Sequence, residues 1–174
     1  MGQGLSNEAS TSFDDEVLPH LDAAYNLARW LTRNDSDAQD VVQEASLRAF
    51  KYWAGFSHAD SRSWLLAIVR NTFYTWARHR SLDTGPLSEG DLDALDSGAP
   101  TPEHAALQDS DARELESALE GLPAEFREAI ILREIDGCSY KEIADIASVP
   151  IGTVMSRLAR GRKRLQASLL HTRM

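Results

Sequence analysis

Cysteine is almost absent: Cys138 is the one thiol in 174 residues. That excludes an internal disulfide and a Cys-rich zinc site, and it fits a reducing compartment. The expected role of Cys138 is a buried apolar thiol, with redox sensing the weaker alternative. Long apolar runs are missing too. None approaches the roughly 20 residues that a membrane-spanning helix needs, so no membrane insertion is expected. No cationic segment leads into an apolar stretch as in a secretion signal, so a cytoplasmic location is expected. The opening MGQGLS matches a short acylation pattern, but its neighbours are merely polar and the match counts for little. His20, His58, His79, His104 and His171 are scattered, with no pair at ligand spacing on one helix. Nothing resembles a nucleophile with its base, a phosphate loop or a metal cluster. No catalytic residue, metal or cofactor is therefore expected, and the chain does not read as an enzyme. Useful β-alternation and internal repeats are also lacking, which leaves an all-α fold.

What is present is a strong asymmetry of charge. The net charge of −9 hides it. Residues 51–80 carry Lys51, Arg62, Arg70, Arg78 and Arg80 against Asp60 alone. Residues 139–174 carry seven cations against Glu142 and Asp145, whereas residues 81–120 carry eleven acids against Arg113. Two basic modules are thus separated by an acidic connector, and basic modules fit an anionic partner better than the total suggests.

The second basic module has a recognisable build. Ser139 with Glu142 three residues on predicts a capping box opening a helix, whose buried side is Tyr140, Ile143, Ala144 and Ile146. Ala147, Ser148 and Val149 run into Pro150, which moves the preceding residue out of helical space. A second helix starts near Thr153, with Val154, Leu158, Gly161 and Leu165 as an inward stripe. Thr153, Arg157, Arg160 and Arg164 repeat that spacing on another face, expected to point outward. This is the pattern of a helix-turn-helix whose second helix enters the DNA major groove. A basic amphipathic helix alone is usually just solvated; the ordered combination of helix, proline turn and hydroxyl-led basic helix is what carries the reading.

Earlier in the chain, residues 1–12 are polar and expected to be disordered. Helices are predicted over Asp14–Thr32, over Asp37–Trp53 after the NDSD turn, and over Ser61–Arg80. The second has Val41, Val42, Ala45, Ala49, Phe50 and Trp53 on its apolar side. Its other side shows Asp40, Gln43, Glu44, Leu47 and Lys51, a face for solvent or for docking. The third interleaves Trp64, Phe73, Tyr74 and Trp76 with Arg70, Arg78, His79 and Arg80. Aromatics at this spacing are more often core, and Trp64 and Phe73 are expected there. The rest is the combination that stacks unpaired bases and follows phosphates. Asn71, where the apolar run ends, is expected to break the helix and offer a base-reading amide. Residues 81–102, with Gly85, Pro86, Gly90, Gly98, Pro100 and Pro102 among acids, read as a flexible linker. Helices then follow over Glu103–Glu120 and Ala124–Ile135. Two domains result, 13–80 and 103–174.

The order of DAQDVVQEASLRAF, SWLLAIVRNTFYTWARHR, LPAEFREAIILREIDGCSYKEIA and IGTVMSRLARGRKRL resembles the extracytoplasmic-function (group IV) sigma factors of the sigma-70 family. The likeness covers nearly all of residues 14–168, with 14–80 similar to sigma region 2 and 103–170 to sigma region 4. It implies an initiation factor that binds core RNA polymerase, through the β′ clamp helices and the β flap, and promoter DNA, commonly under an anti-sigma factor. Asp40, Gln43, Glu44 and Leu47 would then dock on polymerase. Arg70, Asn71, Tyr74, Trp76, Arg78 and Arg80 would handle the −10 single strand, Asn71 holding a flipped base. Ser139, Thr153, Ser156, Arg157 and Arg160 would serve the −35 element, with Arg162, Lys163 and Arg164 nearer phosphates.

The chain also departs from the family pattern. Ala147-Ser148 stands where Leu-Gly is frequent, Met155 where a basic residue is common, and the first helix lacks the usual basic lead. The competing reading is a stand-alone helix-turn-helix regulator of duplex DNA, which has no use for residues 37–80 as they stand.

Overall fold

The computed structural model describes residues 12–57, 59–84 and 110–172, with the side chains of 82–84 left aside. The predicted disorder of residues 1–11, the linker over 85–102 and the start of the helix at Glu103 lie outside the described residues. Every regular element among the described residues is helical.

The predicted first helix is broken by Pro19. Helix α1 spans Phe13–Val17, with Ser12 accepting from the Asp15 N–H at 3.2 Å. A 3₁₀ turn over Leu18–His20 follows, because proline lacks the N–H that would continue an α-helix. Helix α2, Leu21–Thr32, ends at Arg33, whose φ of 58° turns the chain sharply. Asn34 then caps α3, Asp35–Tyr52, its side chain accepting from Asp37 N–H at 3.0 Å. Helix α4, Ser61–Thr84, is continuous and passes Arg80 by a full turn. The expected break at Asn71 does not occur: Thr72 and Thr75 return their hydroxyls to the carbonyls of Ile68 and Asn71, at 2.7 and 2.9 Å. Those bonds occupy both residues inside the helix instead of releasing the backbone.

In the second half, α5 spans Ser110–Glu120 and α6 spans Ala124–Ile130. Helix α6 widens into a π-turn over Ile131–Ile135, and Gly137, at φ 67°, redirects the chain. Helices α7, Tyr140–Ala147, and α8, Ile151–Thr172, complete it. Where α8 crosses α6 the backbones approach so closely that a Cβ on Gly161 would lie 2.8 Å from Ile130 Cδ1.

Leu27, Leu31, Leu65, Leu66, Val69 and Phe73 fill the first half, and Ile131, Leu132, Ile143, Ile146, Val154 and Leu158 the second. Each fully buried aliphatic side chain contributes about 1.5–3 kcal/mol of burial free energy. The two groups form one contiguous core, because α4 packs on α7 and α2 on α6. Arg127 joins the halves. Although 1% exposed, it donates from Nε to Trp30 O at 2.7 Å and from Nη2 to Leu31 O at 3.3 Å. Its Nη1 reaches Glu120 O at 3.1 Å and Leu122 O at 2.6 Å.

Candidate nucleic-acid interface

The predicted helix-turn-helix is present. Ser139 N–H donates to Glu142 Oε2 at 2.6 Å, and Glu142 N–H donates to Ser139 Oγ at 3.1 Å, closing the capping box. Ser139 is thus committed to a structural task. Helix α7 ends at Ser148, whose φ of 54° makes the tight turn without a glycine. Pro150 O then accepts from Thr153 and Val154 N–H at 3.0 and 3.2 Å, starting α8. Val154, Leu158 and Gly161 are buried as expected.

The outward face of α8 differs from the expected one. Met155, Ser156, Arg160 and Lys163 are exposed, and Thr153 is half-buried. Arg157 is not outward: its side chain is 19% exposed, with Nη2 3.6 Å from Glu125 Oε2. Arg162 pairs with Glu134 at 2.6 Å, and Arg164 lies over the Phe126 ring at 5.2 Å, so both cations already have partners on the protein. The 3.6-residue repeat drifts around a long helix, and spacing alone cannot say which cations a neighbouring α6 will cover.

In the first half, Asp40, Gln43, Glu44 and Leu47 share an exposed face of α3, with Leu47 63% exposed. Glu44 pairs within the helix to Arg48 at 3.0 Å. Phe50, expected to face inward, is 66% exposed and meets Phe13 edge-on at 5.3 Å. Trp64 is half-buried in an aromatic group, stacked on Phe56 at 4.3 Å, and Phe73 is fully buried, both as expected.

The residues expected at single-stranded DNA divide. Asn71 and Arg78 are exposed, and Asn71 Oδ1 accepts from Arg70 Nη1 at 3.3 Å. Trp76 is half-buried beneath the Arg80 guanidinium at 5.1 Å, while Arg80 also pairs with Asp37 at 3.0 Å. Arg70 and Tyr74 turn toward the other half. Arg70 Nε lies 2.5 Å from Glu128 Oε1, and the Tyr74 hydroxyl donates to Glu128 Oε2 at 3.3 Å. The Arg70 guanidinium also lies over the Tyr74 ring at 4.6 Å. Burial pushes the Glu128 carboxyl above the usual carboxylate range, and Arg70 and then Arg157 oppose it. Burial and the Glu128 charge likewise push the Tyr74 hydroxyl far above its ordinary value.

Sequence reasoning missed Arg127 and Glu128. The available signal was their place in EFREAIIL: a charged pair set among buried Phe126, Ala129 and Ile130 has to find partners on another element.

The chain thus pairs a half made of α1–α4, with an exposed acidic face and an aromatic, basic helix, with a helix-turn-helix half. The description "Sigma-70 region 2" matches residues 17–82, and "Sigma-70, region 4" matches residues 112–165. The ECF RNA polymerase sigma factor SigE of Mycolicibacterium smegmatis is 35% identical over 91% of this chain, and the chain spans 62% of that relative's length. The RNA polymerase sigma-H factor of Pseudomonas aeruginosa is 32% identical over 91% of this chain and 86% of its own. The ECF RNA polymerase sigma-E factor of Escherichia coli K12 is 36% identical over 73% of this chain and 71% of its own. Among solved structures, the sigma factor RpoE of Bartonella quintana, in complex with the anti-sigma factor NepR, superposes with a TM-score of 0.75. It is 34% identical, covering 91% of this chain and 97% of that one. CnrH, in complex with the cytosolic domain of CnrY, gives a TM-score of 0.60 at 25% identity, covering 87% and 83%. The chain belongs to the sigma-70 family, in its extracytoplasmic-function group.

Proposed function

We propose that the chain is a dissociable transcription initiation factor without catalytic chemistry of its own. It binds core RNA polymerase through Asp40, Gln43, Glu44 and Leu47. It reads the −35 element chiefly with the outward residues of α8, Ser156 and Arg160, with Lys163 on phosphate. It handles the −10 strand with α4, where Asn71 offers an amide that both donates and accepts and Arg70, Tyr74, Trp76 and Arg78 offer charge and stacking faces. Its place of work is the cytoplasm, where polymerase and promoter are. RpoE was solved with the anti-sigma factor NepR and CnrH with the cytosolic domain of CnrY, and an anti-sigma factor is the corresponding expectation for this chain.

The observation that carries this reading is the exposed face of α3. Three polar side chains surround a leucine that is 63% exposed, on a helix whose opposite side is buried in the core. A regulator acting on duplex DNA alone leaves that face, and α4 behind it, without a task. The test is reconstitution: core polymerase with this chain should start transcription at sites mapped after overexpression. Asp40→Arg with Glu44→Arg should abolish core binding and leave helical content and unfolding unchanged. Wild-type affinity of that double variant for core polymerase would refute the docking assignment.

A further inference from the structure

The leading turns of α8 present an outward surface that is largely apolar. Ile151, Met155 and Ala159 follow at i, i+4 and i+8, and all three are exposed, Ile151 at 46% and Met155 at 53%. Ser156 beside them gives its hydroxyl proton to Thr153 O at 3.0 Å, and Thr153 is itself half-buried. Arg157 turns away toward Glu125, at 3.6 Å. No exposed cation or side-chain amide therefore stands on the helix before Arg160. The outward side chains that come next, Arg160 and Lys163, are cationic, and α8 has no acidic residue. Such a surface suits a polyanion that carries apolar groups between its charged strands. Duplex DNA is one: its phosphates flank a major groove that admits a helix, and thymine alone of the four bases shows a methyl group there. A recognition helix reaches base edges with its N-terminal residues, which here are the apolar ones. A Cβ on Gly152 would meet nothing within 4 Å, so the fold does not require glycine at that exposed position. The missing side chain leaves room for a close approach from outside.

We propose that Met155, with Ile151 one turn before it, is a specificity-determining residue that reads the C5 methyl of a −35 thymine by apolar contact. The proposal rests on the assignment of α8 to the −35 element and adds the base that its first turns select. A thioether has no proton to donate and is only a weak acceptor, so it answers to the methyl and not to the hydrogen-bonding edge. Replacing thymine with deoxyuridine removes that methyl and leaves the pairing edge as it was. Replacing cytosine with 5-methylcytosine supplies the same methyl on a different base.

The test uses core polymerase reconstituted with the full chain, and promoter duplexes from the mapped start sites with each −35 thymine replaced in turn by deoxyuridine. Loss of one buried methyl should weaken binding about fourfold at one or two positions and leave the others unchanged. At an affected position 5-methylcytosine should bind about fourfold tighter than cytosine. Met155 is exposed, so its substitution spares the core. With Met155→Ala, thymine and deoxyuridine promoters should bind alike at the affected position. Met155→Leu, still apolar and of similar size, should keep the difference. Deoxyuridine tolerated at every position, with −35 sequence preference otherwise intact, overturns the methyl reading alone. A deoxyuridine penalty that survives in Met155→Ala also overturns it, because the methyl is then felt elsewhere and Met155 meets backbone or polymerase. Binding that ignores every −35 substitution overturns the assignment of α8 to that element, and the proposal with it.

Discussion

Arg127 Nε donates to Trp30 O at 2.7 Å, so a guanidinium of the second half closes the C-terminal end of a helix in the first. The last carbonyls of a helix have no partner within it. Trp30 and Leu31 find theirs in Arg127, and the carbonyls of Glu120, at the end of α5, and of Leu122 share the same side chain. Arg127→Met keeps most of the volume and strips the buried carbonyls of their donor. It should cost about 3 kcal/mol and loosen the two halves together. The measurement is urea unfolding followed separately by Trp fluorescence and far-UV circular dichroism. A single transition with the wild-type midpoint would refute the role.

That seam marks the limit of what was legible in the sequence. Helix-turn-helix, capping box and the buried stripe of α8 follow from local spacing and hold because neighbours three and four residues apart decide them. The break at Pro19 is equally local and follows from its missing N–H. The directions of Arg157, Arg162 and Arg164 were not local at all. Glu125, Glu134 and Phe126, all from α6 or its π-turn, claim them, and no periodicity within α8 contains that information. Phe50 points the same lesson: its apolar register predicted burial, and only the placement of Phe13 shows how little covers it.

For the −35 element the outward cations now separate in role. Arg160 is exposed on the face of α8 proposed to read the −35 element, with Lys163 about one turn later. Arg160→Ala should relax sequence preference at one or two positions, at about 1–3 kcal/mol for a lost base contact. Lys163→Ala should weaken every sequence alike and reduce the salt slope by about 1. Arg157→Ala should change −35 preference less than Arg160→Ala, since its guanidinium faces Glu125. Competition binding of region-4 variants in the full chain to mapped −35 duplexes at two salt concentrations checks all three. Equal, sequence-independent losses would refute the division.

Asp136 gives the stability a pH dependence of definite sign. Burial pushes its carboxyl up to about 6, with Arg62 opposing, and its Oδ2 is buried without a hydrogen bond. The folded value lies above the ordinary ~3.9, so the folded chain holds the proton more tightly than the unfolded one. The stabilisation from this site is complete below about pH 4 and is lost as pH rises through about 6. Asp136→Asn imitates the protonated form permanently. Its Tm should match the wild type near pH 4 and exceed it near pH 7. A difference that is the same at both pH values would show that the carboxyl does not titrate as described.

Asn71 allows the sharpest separation of function from stability. Helix α4 runs through it unbroken, so it neither ends nor caps a helix. Its side chain is exposed, and its one described partner is Arg70, at 3.3 Å. Asparagine is also a weaker helix former than alanine. Asn71→Ala should therefore leave thermal stability unchanged or slightly raised, and leave polymerase docking and duplex −35 binding intact. An amide that reads the edge of an unpaired base can be missed only where strands open. The variant should lose permanganate reactivity of the −10 region and alter preference at one −10 position, with no fall in Tm to explain either. Full promoter opening with unchanged −10 preference would remove Asn71 from the −10 site. The exposed end of α4 would then be left to Arg78, His79 and Arg80 with the half-buried Trp76.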